Sequence, residues 1–199
     1  VYIDDVIVHS SNHAEHRQQL QEFFNRMRKC NMKLNLQKCC IGAKEVSYLG
    51  FRLTPNGILP GSDKLLAVKH FKPPTDVRQI KQFLGLCNFF RTHIRNFAMI
   101  SSPLNQLTRK DSKWKRGTLP YQAMNAFVQL KSALLSNPLV DFPRKNRPYS
   151  LIVDAATGDK EREGGLGAIL CQTDENNHLK VIAYASRGLQ KHEKNYSSF

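Results

Sequence analysis

Two adjacent carboxylates, Asp4 and Asp5, stand inside the apolar run Val1-Tyr2-Ile3-Asp4-Asp5-Val6-Ile7-Val8. A run rich in Val and Ile reads as a buried strand or a tight hairpin. Neighbouring buried anions repel unless a cation or a proton separates them. A divalent metal answers that need: hard Mg2+ takes oxygen ligands, binds few carboxylates directly and completes its shell with water and phosphate oxygens. Such a pair suits two-metal phosphoryl transfer. It equally suits an Asp-Asp turn in a surface hairpin, because Asp is a common turn former. Residue types and spacing leave both readings open.

Other candidate ligands are weaker. His9, His13 and His16 would share a face only if a helix began early, and Ser10-Ser11-Asn12 reads as helix entry, so zinc through three histidines is disfavoured. The five cysteines, Cys30, Cys39, Cys40, Cys87 and Cys171, are odd in number and lack a CxxC pair. They suggest neither a disulfide framework nor a zinc ribbon and are expected to be reduced.

The carboxylates need elements to hold them, and 199 residues at 41% hydrophobic content suffice for one or two packed domains. No stretch approaches the length of a membrane span, and no secretory leader is visible, which leads us to expect a cytoplasmic or nuclear setting. Net charge is +14. Residues 1–150 carry +15 and residues 151–199 carry −1, so the basic excess is regional and the tail reads as a separate module. A positive surface of that size attracts polyanions, nucleic acid above all.

Asn12-x-x-Glu15 resembles a capping box, and Leu20, Phe23, Phe24 and Met27 recur at helical spacing, predicting a helix that ends near Asn31. Lys33-Leu34-Asn35-Leu36 alternates as a short strand would. A hairpin is expected over 46–59, with one strand over 46–53 and turn chemistry in Thr54-Pro55-Asn56-Gly57. Ser62-Asp63 opens a short helix, and Pro73-Pro74-Thr75-Asp76 ends it and caps the next. That next helix has an apolar stripe of Val77, Ile80, Phe83, Leu84, Cys87, Phe90 and Ile94, with Arg78, Lys81, Arg91 and Arg95 supplying charge. Ser102-Pro103 predicts a further helix with proline in its first turn. Residues 109–117 read as a basic linker around the single tryptophan, and 121–135 as a helix facing inward through Ala123, Phe127, Leu130 and Leu134. Strands over 149–154, 167–172 and 181–185 read as the start of a mixed or antiparallel sheet.

Taken together, these segments carry a family resemblance. Tyr2-Ile3-Asp4-Asp5 resembles the YxDD motif of reverse transcriptases. The order of the downstream motifs is similar to gypsy-class LTR retrotransposon polyproteins: Leu34-Asn35-Leu36-Gln37-Lys38-Cys39, Tyr48-Leu49-Gly50-Phe51, Phe83-Leu84-Gly85-Leu86-Cys87-Asn88-Phe89-Phe90-Arg91, Val153-Asp154-Ala155, Gly165-Leu166-Gly167-Ala168-Ile169-Leu170 and Ile182-Ala183-Tyr184-Ala185-Ser186-Arg187. The resemblance covers nearly the whole chain.

It implies an α+β fold. Residues 1–61 would form the C-terminal part of a polymerase palm with a primer-grip-like hairpin, 62–112 a helical thumb, 113–148 a connecting segment, and 149–199 the beginning of an RNase H-like domain with a mixed sheet. By the same resemblance Asp4 and Asp5 would hold catalytic Mg2+ (Mn2+ as a substitute), Asp4 being the main ligand. Tyr2 and Ile3 would lie beside the primer terminus, and Lys38 near the triphosphate as a proton donor to pyrophosphate. Tyr48, Leu49 and Gly50 would approach the primer, and Arg78, Lys81, Arg91 and Arg95 would track duplex phosphates without reading sequence. Asp154 would be the first metal-binding acid of the RNase H-like site, and Glu193 is not aligned with that site's catalytic glutamate.

The expected partners are template-primer nucleic acid, as RNA–DNA hybrid or DNA duplex, and deoxynucleoside triphosphates, with a dimer or the remainder of a polyprotein as protein partners. The segment 155–164, with Asp159-Lys160-Glu161-Arg162-Glu163 at its centre, is longer and more charged than the family pattern and predicts a protruding loop beside Asp154. The family also needs an upstream palm aspartate and further RNase H acids beyond these residues, so the chain alone is expected to be inactive. The alternative is a non-enzymatic retroelement remnant that binds nucleic acid without sequence preference.

Overall fold

In a computed structural model, which describes residues 1–158, 163–190, 192, 193 and 196, the chain is α+β. Helix α1 spans His13–Lys29; strands β1 Val46–Tyr48, β2 Phe51–Thr54 and β3 Gly57–Pro60 come next. Then come helices α2 Ser62–His70, α3 Val77–Phe89, α4 Phe97–Leu107 and α5 Tyr121–Leu135, and last the strands β4 Tyr149–Gly158, β5 Glu163–Thr173 and β6 Leu179–Gly188.

Helix α1 starts where the sequence signal lies: Asn12 accepts from the Glu15 backbone N–H at 2.9 Å, and Glu15 reaches back to the Ser11 N–H at 3.0 Å. Its apolar stripe is only half-buried, and none of its residues is fully buried. The strand expected over 33–36 is absent. Those residues have no ladder partner among the described residues, and the chain turns instead into a short 3-10 helix, Leu36–Lys38, capped by Asn35.

The strand expected over 46–53 is broken in two. Leu49 and Gly50 both have positive φ, +50° and +80°, which folds β1 back on β2 through a two-residue turn and converts the hairpin into a three-stranded antiparallel meander. The turn is hidden in the sequence because Leu49 is not a usual residue for that conformation.

The four helices from α2 to α5 enclose one apolar core built on Phe83, Phe90, Ile80, Leu104, Leu130 and Leu134. Phe83 packs its ring against Phe127 at 4.6 Å and Phe71 at 5.2 Å between centroids. Asp76 caps α3 by accepting from the Gln79 N–H at 2.8 Å. The stripe from Val77 to Ile94 is continuous in burial, yet α3 stops at Phe89 and a 3-10 turn, Arg91–His93, carries the rest. Pro103 lies inside α4 rather than in its first turn: the helix opens at Asn96, whose left-handed φ of +57° starts it six residues earlier than the proline signal suggested. Helix α5 matches its expected span, and its inner face packs in the same core. The basic linker is tied down as well. Trp114 packs on that core, and its indole N–H donates to the Thr118 carbonyl at 3.1 Å.

Strands β4, β5 and β6 form an antiparallel meander with Asp154 opposite Gly167 and Gly167 opposite Ser186. All three outrun their expected bounds. The loop expected over 155–164 is mostly strand, because the ladder continues through Ala155, Ala156 and Gly158 to Glu163. Residues 159–162, the charged centre of that segment, lie outside the described residues. Asp154 therefore sits mid-strand rather than at a strand end. Buried Gln172 pins the preceding loop, accepting from the Arg144 N–H at 2.7 Å and donating to the Arg144 and Arg147 carbonyls. Just before that loop, Val140 bridges β3 through Ile58 and Asp141 donates to the Val181 carbonyl of β6, so one strap ties the two meanders together.

Candidate nucleic-acid interface and acid sites

The opening run forms the tight bend that the apolar pattern allowed, but not a buried one. Tyr2 and Asp5 exchange backbone hydrogen bonds of 2.8 and 2.9 Å, with Ile3 at φ +50° between them. Val1 is 89% and Ile3 81% exposed, and both Asp4 and Asp5 face solvent. Burial therefore does not set the need for a cation here. The acids project from a bend, and no Lys, Arg or His lies within salt-bridge distance of either among the described residues.

The fold brings this bend to a second candidate element that is remote in sequence. The Tyr48 phenol donates to the Asp5 carbonyl at 3.4 Å, which sets the Leu49-Gly50 turn beside the acid pair. Gly50 is held from the other side. Its carbonyl accepts from the Gly61 N–H at 3.0 Å, and Lys64 lays its ammonium over the Phe89 ring, 3.1 Å from the centroid. Phe51 stacks between Phe89 and His93, with centroids 5.1 and 5.5 Å away. His93 is buried, its Nε2 has no hydrogen-bond partner among the described residues, and burial lowers its pKa below the ordinary histidine value. Sequence reading missed Lys64, Gly61 and His93 as parts of this junction. No local signal marks them, since each acts through a neighbour that only tertiary packing supplies.

Lys38 is exposed at the end of its 3-10 helix. Arg78 and Lys81 line one shallow hollow on the outer face of α3, beside Val77 and Gln82, and Arg95 is exposed farther along. Arg91 is turned the other way: its guanidinium donates to the Ser186 carbonyl of β6 at 3.0 Å. Asp154 is solvent-exposed on β4, an edge strand whose Leu151 and Val153 are 64% and 68% exposed. Glu193 is engaged by Arg187 through two hydrogen bonds of 2.6 and 2.7 Å, and that guanidinium holds its carboxyl down at about 2. The five cysteines are all free thiols, and burial pushes Cys87 up to about 12. His9, His13 and His16 form no metal cluster, and no group of three or more His, Cys, Asp or Glu does so among the described residues.

Residues 1–53 match the family described as reverse transcriptase (RNA-dependent DNA polymerase), and residues 121–199 match the RNase H-like domain found in reverse transcriptase. The retrovirus-related Pol polyprotein from transposon opus of Drosophila melanogaster is 34% identical over 206 residues, covering 100% of this chain and 20% of that protein. The chain belongs to the reverse transcriptase family of LTR-retrotransposon Pol polyproteins. The Pol polyprotein of transposon 297, from the same fly, is 35% identical and also covers 100% of this chain. The Tf2-3 polyprotein of Schizosaccharomyces pombe is 27% identical over 98% of it. This reverse transcriptase segment spans about a fifth of the length of those fly relatives. Its fold resembles the foamy viral protease-reverse transcriptase in complex with double-stranded DNA, with a TM-score of 0.79 at 21% identity over 95% of this chain and 32% of that one. The same viral enzyme in complex with RNA/DNA hybrid gives a TM-score of 0.78, over 95% of this chain and 24% of that one. No helix among the described residues is long and apolar enough to cross a membrane.

Proposed function

We propose that this chain is a working part of an RNA-directed DNA polymerase with an attached RNase H-like nuclease, copying RNA into DNA by two-metal nucleotidyl transfer. The observation that carries the reading is the Tyr48–Asp5 contact, which joins the exposed acid pair to the glycine turn across 43 residues of sequence. Residues 1–61 then serve as late palm and primer-grip-like hairpin, 62–112 as thumb, 113–148 as connection and 149–199 as the start of the nuclease. The retroelement remnant is the less favoured reading, since both domains match reverse transcriptase families.

Asp4 and Asp5 fit part of a Mg2+ site: they are adjacent hard oxygen donors at an exposed bend, and such ions take water and phosphate oxygens for their remaining positions. When bound, the metals supply charge neutralisation on the attacking and leaving oxygens. The protein's own residues do the positioning. Asp4 and Asp5 present their carboxylates from a bend fixed by two backbone hydrogen bonds, and Tyr48 holds the Asp5 backbone. Tyr2 and Ile3 flank the primer end, Leu49 and Gly50 bring backbone to the primer strand, and Lys38 donates a proton to departing pyrophosphate. Arg78, Lys81 and Arg95 meet duplex phosphates, while Arg91 contributes only what its bond to β6 leaves free. Asp154 offers the first carboxylate of the RNA-cleaving site.

In a full-length protein carrying these residues, Asp4→Asn should abolish DNA synthesis and leave cleavage of an RNA–DNA hybrid intact, and Asp154→Asn should do the reverse. Unchanged polymerisation by Asp4→Asn would remove the basis of the assignment.

A further inference from the structure

Lys64 holds a positive charge beside the Leu49-Gly50 turn that no neighbour neutralises. It is the third residue of α2 and half-buried, and its ammonium meets no carboxylate and no hydrogen-bond acceptor among the described residues; its recorded partners are aromatic rings. A lysine in the first turn of a helix also faces the unfavourable end of the helix dipole. Neither an ion pair nor the helix accounts for a cation here.

The ammonium is nonetheless held in one place. Its Nζ lies 3.1 Å from the centroid of the Phe89 ring. Phe51 stacks on that ring at 5.1 Å with an interplanar angle of 21°, and so takes the face that the lysine leaves. Phe51 stacks in turn on buried His93 at 5.5 Å. Lys64 therefore caps an aromatic column whose far end is anchored in the helical body. A side chain held this way has given up rotamer freedom before any ligand arrives.

Gly50 shows how near the turn this charge lies. A Cβ at Gly50 would be 3.0 Å from Phe89 Cζ, 3.1 Å from Lys64 Cε and 3.2 Å from Lys64 Nζ. Leu49 and Phe89 both reach solvent, so the junction is open. Tyr48, next to the turn, donates to the Asp5 carbonyl, which makes the cation, the turn and the acid bend neighbours. An ammonium carries three N–H donors, and a ring engages only the side turned toward it. The remaining donors suit a phosphate oxygen, which lysine binds as a point charge.

We propose that Lys64 is a ligand for one phosphate of the primer strand near its 3′ end, preset by Phe89 to meet the strand that the Leu49-Gly50 turn approaches. The proposal rests on the primer-grip-like reading of that turn. It gives Lys64 a different task from Arg78 and Lys81, which lie on the outer face of α3 and meet the duplex as a whole. Lys64 selects a single linkage, because ring and turn fix where its charge sits.

The test uses a full-length protein carrying these residues, an RNA template and a DNA primer, with affinity read by fluorescence anisotropy across a salt series. Lys64→Leu keeps the apolar packing on Phe89 and removes the charge. It should weaken binding about tenfold, the loss expected for one hydrogen bond to a charged group, and lower the log–log salt slope by about 1. Lys64→Arg should restore affinity to within about twofold of the parent. Primers carrying one uncharged methylphosphonate linkage, moved stepwise from the 3′ end, then locate the contact. In the parent one linkage should cost about tenfold in affinity, and in Lys64→Leu that same linkage should cost less than twofold. Lys64→Gln repeats the scan should Lys64→Leu fail to fold. An undiminished penalty at that linkage in the charge-removed variant overturns the proposal, as does an unaltered salt slope. If no primer linkage matters in the parent, the primer-grip-like reading itself fails and takes the proposal with it.

Discussion

Gly61→Ala offers a sharp perturbation of the junction between the acid bend and the helices. The φ of Gly61 is −66°, a value alanine adopts without strain. At a neutral site, replacing Gly by Ala would stabilise by about 0.4–1 kcal/mol through the unfolded chain. Here the new Cβ would lie 2.5 Å from the Gly50 carbonyl oxygen and 2.9 Å from its carbon. Both are backbone atoms, so no flexible side chain can yield. The turn must move, and the 3.0 Å Gly61–Gly50 hydrogen bond goes with it. Overpacking costs about 1–3 kcal/mol and the lost bond about 1 kcal/mol. Set against the entropic gain, the net loss is about 2 kcal/mol, or a fall in Tm of about 4–8 °C for a chain of this size. Thermal unfolding followed by the fluorescence of Trp114, the single tryptophan, reads the helical body directly. A Tm equal to or above that of the parent would refute the close backbone contact, because the sign of the effect depends on it.

The matched control lies in α3. Gly85 is exposed, and a Cβ there would meet none of the described residues within 4 Å beyond its own stretch of α3, so Gly85→Ala should raise stability by about 0.5–1 kcal/mol in the same unfolding assay. His93 gives a pH dependence of definite sign. Its folded pKa is lowered from 6.5 by burial, so the unfolded chain binds more protons below that pH. Stability should therefore be fully present above pH 6.5 and decline as pH falls, and His93→Phe should flatten that limb in urea titrations at several pH values. For nucleic acid, affinity for an RNA–DNA hybrid measured by fluorescence anisotropy should drop steeply with salt. The double variant Arg78→Ala, Lys81→Ala should reduce the log–log salt slope by about 2.

How much of the fold and the site is legible in the sequence depends on range. The caps at Asn12 and Asp76 and the inner face of α5 depend on residues within one or two turns of each other, and the sequence displays them. The break at Leu49-Gly50 is not legible. A leucine at φ +50° is tolerated only because Tyr48, Gly61 and the Lys64–Phe89 pair hold the turn in place. The start of α4 is misplaced by local signals for a similar reason: its cap comes from Ser186, nearly ninety residues downstream. The acid bend is only half legible. Its apolar neighbours suggest burial, whereas the fold leaves them exposed and presents the two carboxylates outward.

The ordered motifs from Tyr2-Ile3-Asp4-Asp5 to Ile182-Ala183-Tyr184-Ala185-Ser186-Arg187 determined by themselves which family this chain belongs to, and local propensity determined most of its helices. Tertiary structure alone decided that Asp5 meets Tyr48, that Arg91 faces the sheet rather than the outer surface of the helices, and that Ser186 of β6 caps α4. The division has a physical cause. Periodicity and capping act over a few residues, while strand register and the close approach that glycine permits are settled only when distant segments compete for the same hydrogen bonds and the same space.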